Sequence, residues 1–204
     1  VTLSTSSVYP GGVELTFALA RDLGYDGVEV MVLSDPKSRE AAELQDLVDA
    51  YQMPIGSIHA PTLLFTQRVW GGAWDKIDNS IELALAVGAS VVVLHPPFLW
   101  QRPYTRAFVE GVLQREEETG VVLAVENMYP WRVAKDLAIY RPHWDPIDMP
   151  YPSNTLDLSH AATSRQDGLA MAVELGPRLK HVHLCDGRNN FKDEHLVPGT
   201  GTQQ

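Results

Sequence analysis

Six apolar runs in this 204-residue sequence close on a side chain that binds metals or moves protons: Glu29, His59, His95, Glu126, Asp157 and His183. Neutral imidazole mixed with carboxylate is a donor set that zinc and manganese accept, and it also suits general acid and base chemistry. Each residue alone has an ordinary explanation, because a strand-end His is often hydrogen-bonded structure and a Glu or Asp there often caps the next helix. Their recurrence at equivalent points of successive runs argues instead for one shared site. Further donors surround them. In TLDLSH, His160 stands three residues after Asp157, close enough for both to face one ion or for His160 to hold a substrate oxygen. In HVHLCDG, His181 and His183 share one strand face. His183, nearer the rim, is expected to ligate, and His181, one layer deeper, to support it. KDEH offers Asp193 and His195 as a second pair of ligands, while GYDGVEV places Glu29 before two more apolar residues, so it is expected to point inward beneath the others. His143, among prolines, reads as a surface residue.

One recurring grammar supplies the elements that would bring these side chains together. The segments LARDLGYDGVEVMV, LALAVGASVVVLH, REEETGVVLAVEN and MAVELGPRLKHVHL each read as a helix, a short glycine turn and a strand. Seven strands are expected near residues 2–6, 27–33, 55–59, 90–95, 121–126, 154–158 and 180–184, and helices near 12–23, 37–51, 73–87, 104–119, 131–139 and 164–175. Strands alternating with helices of this length imply parallel pairing, and continuous runs such as VVVL and VVLAV suit strands buried on both faces. In a parallel barrel the C-terminal strand ends form one rim, where catalytic groups sit. The stretches Pro61–Gly72 and Tyr140–Ser153 are expected as long loops that either cover a pocket mouth or simply connect elements with no role in binding.

A hydrophobic share of 45% and a charged share of 21% suit one globular domain over residues 1–204. Apolar stretches such as Ala89–Leu94 are too short to cross a bilayer, and no signal-peptide pattern opens the chain, so a cytoplasmic location without membrane partners is expected. The single Cys185 excludes an internal disulfide and reads as a small buried hydrophobe, leaving metal binding to imidazole and carboxylate. A formal charge of −10 disfavours nucleic acid as a partner. It leaves room for one small phosphorylated substrate, for which Arg102, Arg106, Arg132 and Arg188 are available.

The motifs GYDGVEV, IGSIHAP, VVVLHPP, LAVENMY, NTLDLSHAA and HVHLCDG, in this order, resemble the xylose isomerase-like TIM-barrel superfamily over nearly the whole chain. The resemblance implies an α/β fold, a (β/α)8 barrel, in which the eighth β/α unit is expected to lie outside this sequence. In the sugar epimerase branch, one divalent ion is held by residues that correspond here to Glu126, Asp157 and His183, with a further Glu on strand eight. His160 and Arg188 correspond to groups that bind substrate oxygens. Resemblance to the endonuclease IV branch, which holds three zinc ions, extends to His59, His95, His160, Asp193 and His195. DEHLVPGTG is similar to that branch's D-x-H and G-E-G stretch, with Thr200 where the Glu stands.

The resemblance therefore implies a divalent metal, Zn, Mn or Mg, in one to three ions, and His59 and His95 serve as ligands or as substrate contacts. The first function it implies is a sugar or sugar phosphate isomerase or epimerase, with Glu126 exchanging a proton beside a carbonyl and His160 assisting. The alternatives are an endonuclease IV-like zinc phosphodiesterase and a metal- or sugar-binding barrel without catalysis. Without strand eight this chain alone is expected to bind metal weakly and be inactive, and its exposed barrel edges are expected to favour self-association into a homo-oligomer.

Overall fold

The apolar runs fold as parallel strands in a computed structural model that describes residues 1–203 except 34, 63–65, 67, 135 and 136. These residues fall into two compact units, 1–94 and 95–204. In the first, β1 (Thr2–Ser4), β2 (Gly27–Met31), β3 (Ile55–His59) and β4 (Val91–Leu94) pair in chain order, all parallel. Helix α1 (Gly12–Leu23) buries Val13, Phe17 and Ala20, and α3 (Ala73–Val87) buries Ile77, Ile81 and Ala84. Both sets follow the i, i+4, i+7 spacing of one helix face. α1 packs on β2 and on α2 (Ala41–Tyr51), and α3 packs on β3 and β4. Sheet register depends on Gly27, where a Cβ would meet the Pro54 carbonyl oxygen at 2.6 Å; that carbonyl accepts the Val28 N–H at 2.9 Å. The buried Lys76 ammonium donates to the Thr66 and Val69 carbonyls, both at 2.6 Å, and so anchors part of the expected 61–72 loop. Residues 63–65 and 67 of that loop lie outside the described residues.

The second unit holds α4 (Arg102–Thr119), β5 (Val122–Glu126), the short strands β6 (Arg132–Ala134) and β7 (Leu137–Ala138), β8 (Asn154–Asp157), α5 (Leu158–Thr163), α6 (Gly168–Leu175) and β9 (Leu179–His183). β5, β8 and β9 are adjacent and parallel, and their last residues are Glu126, Asp157 and His183. α4 packs on β5 and α6 on β8.

Three expected helices are corrected. The expected helix 37–51 begins only at Ala41, after a separate 3-10 turn over Pro36–Arg39 in which the Asp35 carboxylate accepts the Lys37 N–H at 3.0 Å. Residues 131–139 contain an antiparallel pair, β6 with β7, rather than a helix. Tertiary packing decides this, since Ile139 and Tyr140 are buried with Phe98 and Met128, and the Ile139 N–H donates to the Trp131 carbonyl at 2.8 Å. The expected helix 164–175 begins only at Gly168, where the Asp167 carboxylate accepts the Ala170 N–H at 3.0 Å. Strand ends differ from expectation by one or two residues. The proline-rich stretch 140–153 is tied down: Arg178 donates to the Met149 and Ile147 carbonyls at 2.9 and 2.8 Å, and Tyr151 packs edge-on against Phe108. No helix among the described residues is long and apolar enough to cross a membrane.

Beyond β9, the buried Asp186 carboxylate gathers residues 187–203 into a closed loop. It accepts the N–H groups of Gly187, Gly199, Gly201 and Gln203 at 2.8 to 3.1 Å, while Asp186 and Leu196 exchange backbone bonds at 2.8 and 2.7 Å. Bonds to a charged acceptor are among the stronger ones, so Asp186→Ala should cost about 2 kcal/mol net and lower the thermal midpoint by about 4–8 °C. Thermal unfolding checks this, together with faster hydrogen exchange at Gly199, Gly201 and Gln203; an unchanged midpoint would refute it.

Candidate functional site

The second unit concentrates three carboxylates and four imidazoles at the ends of its strands. Glu126 and Asp157 are 1% and 0% exposed, so neither carboxylate is neutralised by water. His183 Nδ1 lies 3.0 Å from Glu126 Oε1 and 3.3 Å from Asp157 Oδ2. A proton on that nitrogen faces both carboxylates, which is the position a cation would take. Donor atoms from Glu126, Asp157 and His183 all lie within 4.8 Å of one another.

Around this trio the neighbours fix orientation. His95, next in the chain after β4, sets its Nε2 2.9 Å from Glu126 Oε2, on the carboxylate's other side. His160 follows Asp157 on α5, and its N–H donates to Asp157 Oδ1 at 2.8 Å, so this carboxylate also caps the helix. His160 Nδ1 is 2.8 Å from the Asn127 carbonyl and 3.3 Å from Glu126 Oε1. A carbonyl only accepts, so Nδ1 carries a proton and Nε2, 3.3 Å from Asp193 Oδ2, is the nitrogen left for an ion or substrate. Asp193 also takes the Ser159 hydroxyl at 2.8 Å and His195 Nε2 at 3.1 Å. Ligand atoms of His160, Asp193 and His195 form a further group within 4.8 Å.

The carboxylates set the protonation of the rings. Burial works against the charged form of His160, but Asp157, Asp193 and Glu126 outweigh it and hold the ring well above its usual range. His195 is pushed up to about 10 in the same way, against burial, chiefly by its bond to Asp193. Burial likewise opposes ionisation of Glu126, yet His183 and His95 keep it well below the usual carboxylate range. Asp193 is lowered by His160 and His195.

The remaining sequence-derived residues are placed as follows. His59 ends β3 in the first unit, buried, with Nδ1 3.2 Å from the Ala60 carbonyl. Glu29 is buried on β2, where it accepts the Ser57 hydroxyl at 2.8 Å from the adjacent strand. His181 stands against His183, ring centroids 5.2 Å apart. The Arg188 guanidinium is at the surface on Glu194, 3.0 Å away. His143 is exposed.

Two contributors, Asn127 and Ser159, carry no mark in the sequence, and a third, Cys185, differs from its expected role. Asn127 is fully buried; its Oδ1 accepts the Asp157 N–H at 2.6 Å and its Nδ2 donates to the Asp157 carbonyl at 3.1 Å, which locks β8 to β5 at the rim. Ser159 accepts the N–H groups of Glu194 and His195 at 3.2 and 3.0 Å and so docks the last loop. Cys185 is not the buried hydrophobe expected: it is half-buried, and its sulfur lies 3.5 Å from Asp157 Oδ1.

Asn127→Ala frees Asp157 without touching a donor atom, so divalent-ion affinity should fall about 10–100-fold, measured by calorimetry; unchanged affinity would remove Asn127 from this role. A second expectation concerns pH. Ligation needs neutral imidazole, whereas the ion-free rings of His160 and His195 hold protons at neutral pH, so ion binding must release them. Zinc affinity, followed by competition with a chromophoric chelator, should therefore keep rising with pH through the neutral range. Levelling off near the ordinary imidazole value of about 6.5 would contradict it.

The family model described as xylose isomerase-like TIM barrel matches residues 17–204. An uncharacterised protein of Mycobacterium tuberculosis is 43% identical over 224 residues, spanning 100% of this chain and 80% of its own length. The fructoselysine 3-epimerase of Shigella flexneri is 22% identical over 220 residues, covering 93% of this chain and 76% of the epimerase. Among solved structures, a xylose isomerase domain protein from Alicyclobacillus acidocaldarius superposes with a TM-score of 0.65 at 18% identity, over 98% of this chain and 80% of that one. Endonuclease IV from Thermus thermophilus does so at 0.54 and 23% identity, over 95% and 79%. With parallel strands alternating with helices in both units, and with a family match that runs through both, the chain belongs to the xylose isomerase-like TIM-barrel family.

Proposed function

We propose that the protein is a divalent-metal-dependent isomerase or epimerase of a small sugar, sugar phosphate or related polyol, working by proton transfer beside a carbonyl. The convergence of Glu126, Asp157 and His183 from three successive parallel strands carries this reading. The donors suit an ion: Asp157 Oδ2 is buried and accepts no hydrogen bond, and two carboxylates with one imidazole form a set that Mn, Zn or Mg accepts. When bound, such an ion polarises adjacent carbonyl and hydroxyl oxygens and acidifies the C–H between them. Glu126 would take and return that proton, with His95 holding the far oxygen of its carboxylate in place. His160, its Nδ1 fixed on the Asn127 carbonyl, would present Nε2 to a substrate oxygen. Arg188 could reach a phosphate only by leaving Glu194. The likeness to a fructoselysine 3-epimerase supports this class of chemistry.

A second reading, an endonuclease IV-like phosphodiesterase, draws on the additional group His160, Asp193 and His195. The formal charge of −10 opposes it, because an enzyme of that kind must hold several phosphates.

Incubating the full-length protein, metal loaded, with a panel of ketoses and ketose phosphates in deuterated water should give exchange at the carbon beside the carbonyl. Glu126→Gln should slow exchange by about 100-fold or more with circular dichroism unchanged. No exchange from any member of the panel, with metal demonstrably bound, overturns the reading. Cleavage of abasic DNA would select the phosphodiesterase.

A further inference from the structure

Two donors beside Asp157, Cys185 and His195, take no part in that reaction. Cys185 lies two residues beyond the end of β9, and its N–H donates to the His183 carbonyl at 3.1 Å, turning the chain back over the site. Its sulfur accepts the Ser159 N–H at 3.4 Å, stands 3.5 Å from Asp157 Oδ1, and shares a hydrogen bond with the His195 ring. His195 Nδ1 lies 3.9 Å from Asp157 Oδ2. One ligand atom each from Asp157, Cys185 and His195 lies within 4.8 Å of the others. Independently of the sulfur, Asp157 Oδ2 is fully buried, receives no hydrogen bond, and is aimed between the imidazole nitrogens of His183 and His195. His195 is also held at φ +44°, a backbone conformation uncommon for a residue other than glycine, by its N–H bond to Ser159.

We propose that Asp157, Cys185 and His195 form a second divalent-cation site, sharing the Asp157 carboxylate with the Glu126–Asp157–His183 site, and that the Cys185 thiolate makes it select zinc-class ions. A thiolate is a soft ligand that favours zinc, cobalt or cadmium over magnesium or manganese, and the thiol gives its proton to solvent on coordination. His195 is oriented for the task, because Nε2–H donated to Asp193 leaves the Nδ1 lone pair facing Asp157 and the sulfur. Three protein ligands leave a position open for water or a substrate oxygen. The two ions would then differ in kind: a hard or borderline one between Glu126, Asp157 and His183, and a thiophilic one beside it. The assignment does not rest on the isomerase reading and holds for any reaction the barrel carries.

Cobalt(II) titration of the full-length protein tests it. Cys185 is the single cysteine of residues 1–204, and a thiolate-to-cobalt charge-transfer band in the near ultraviolet is assigned to it when Cys185→Ser removes the band. The wild type should show that band and bind one more ion than Cys185→Ser, which should lose the band. In that variant, affinity at the second site should drop by more than the about 10–100-fold that loss of a supporting residue costs. His183→Ala should lose the other ion and keep the band. Zinc should bleach the band, and magnesium in large excess should leave it intact. Absence of the band in wild-type protein saturated with cobalt overturns the proposal, and this readout needs no variant to fold. A band lost in both variants also overturns it, since the donors would then form one composite site. Isomerase activity enters none of these outcomes, so failure here and failure of the proton-transfer reading are separate results.

Discussion

Three carboxylates gathered largely out of water need positive charge among them, and the rest of the site follows from that need. At an effective dielectric of 20, two unit charges 4 Å apart repel by about 4 kcal/mol. That exceeds the net worth of about 1 kcal/mol for an ordinary hydrogen bond. Glu126, Asp157 and Asp193 therefore cannot stay ionised on hydrogen bonds alone. His160 and His195, flanking Asp193, supply such charge, and the His183 and His95 rings lie 3.0 and 2.9 Å from the two Glu126 oxygens. The raised affinity of His160 and His195 for protons is the other face of the same balance. A divalent cation at the proposed site would supply that charge from a single point and return the protons to solvent.

The backbone makes such crowding tolerable. Parallel pairing of β5, β8 and β9 brings three strand ends to one level, and Asn127 locks two of them with both atoms of its amide on the Asp157 backbone. The His160 N–H in the first turn of α5 donates to the Asp157 carboxylate, so part of its charge is also answered by a helix terminus. Asp157 thus has one oxygen committed to the helix cap, while the other accepts no hydrogen bond.

Much of this was legible in the sequence for a physical reason. A strand buried on both faces must be apolar until it reaches the rim, so the Glu that ends VLAVE in β5 stands out, whereas β8 and β9 carry polar residues before their ends and β9 is half exposed. Glu126, Asp157 and His183 were three of six strand-end residues marked by position, and the family resemblance set them apart from the rest; their strands follow the alternation with helices. Asn127 was not marked, because its contribution is a pair of bonds to the backbone of a strand distant in sequence, and an Asn after a Glu carries no periodic mark. Cys185 was read by composition as a hydrophobe; only the turn after β9 brings its sulfur to Asp157. The pairing of β6 with β7 was missed for the converse reason. WRVAKDLAI satisfies a helical pattern, and the burial of Ile139 and Tyr140 against Phe98 and Met128 overrides it.

The last loop links occupancy of the site to order in the chain. Asp193 and His195 come from a segment with no helix or named strand of its own, held at one side by the Asp186 carboxylate and at the other by the Ser159 hydroxyl. Ser159 itself lies on α5, whose first turn Asp157 caps, so the loop is docked onto the same carboxylate that faces His183 and His195. Any ion taken by Asp193 or His195 would therefore be bound at the expense of loop freedom, while one held by Glu126, Asp157 and His183 need not involve the loop. The strand ends supply a site that exists once β5, β8 and β9 pair, and the loop supplies donors that arrive only when residues 187–203 close. That difference in cost sets the order in which the two sets of donors should fill, with the rigid rim first.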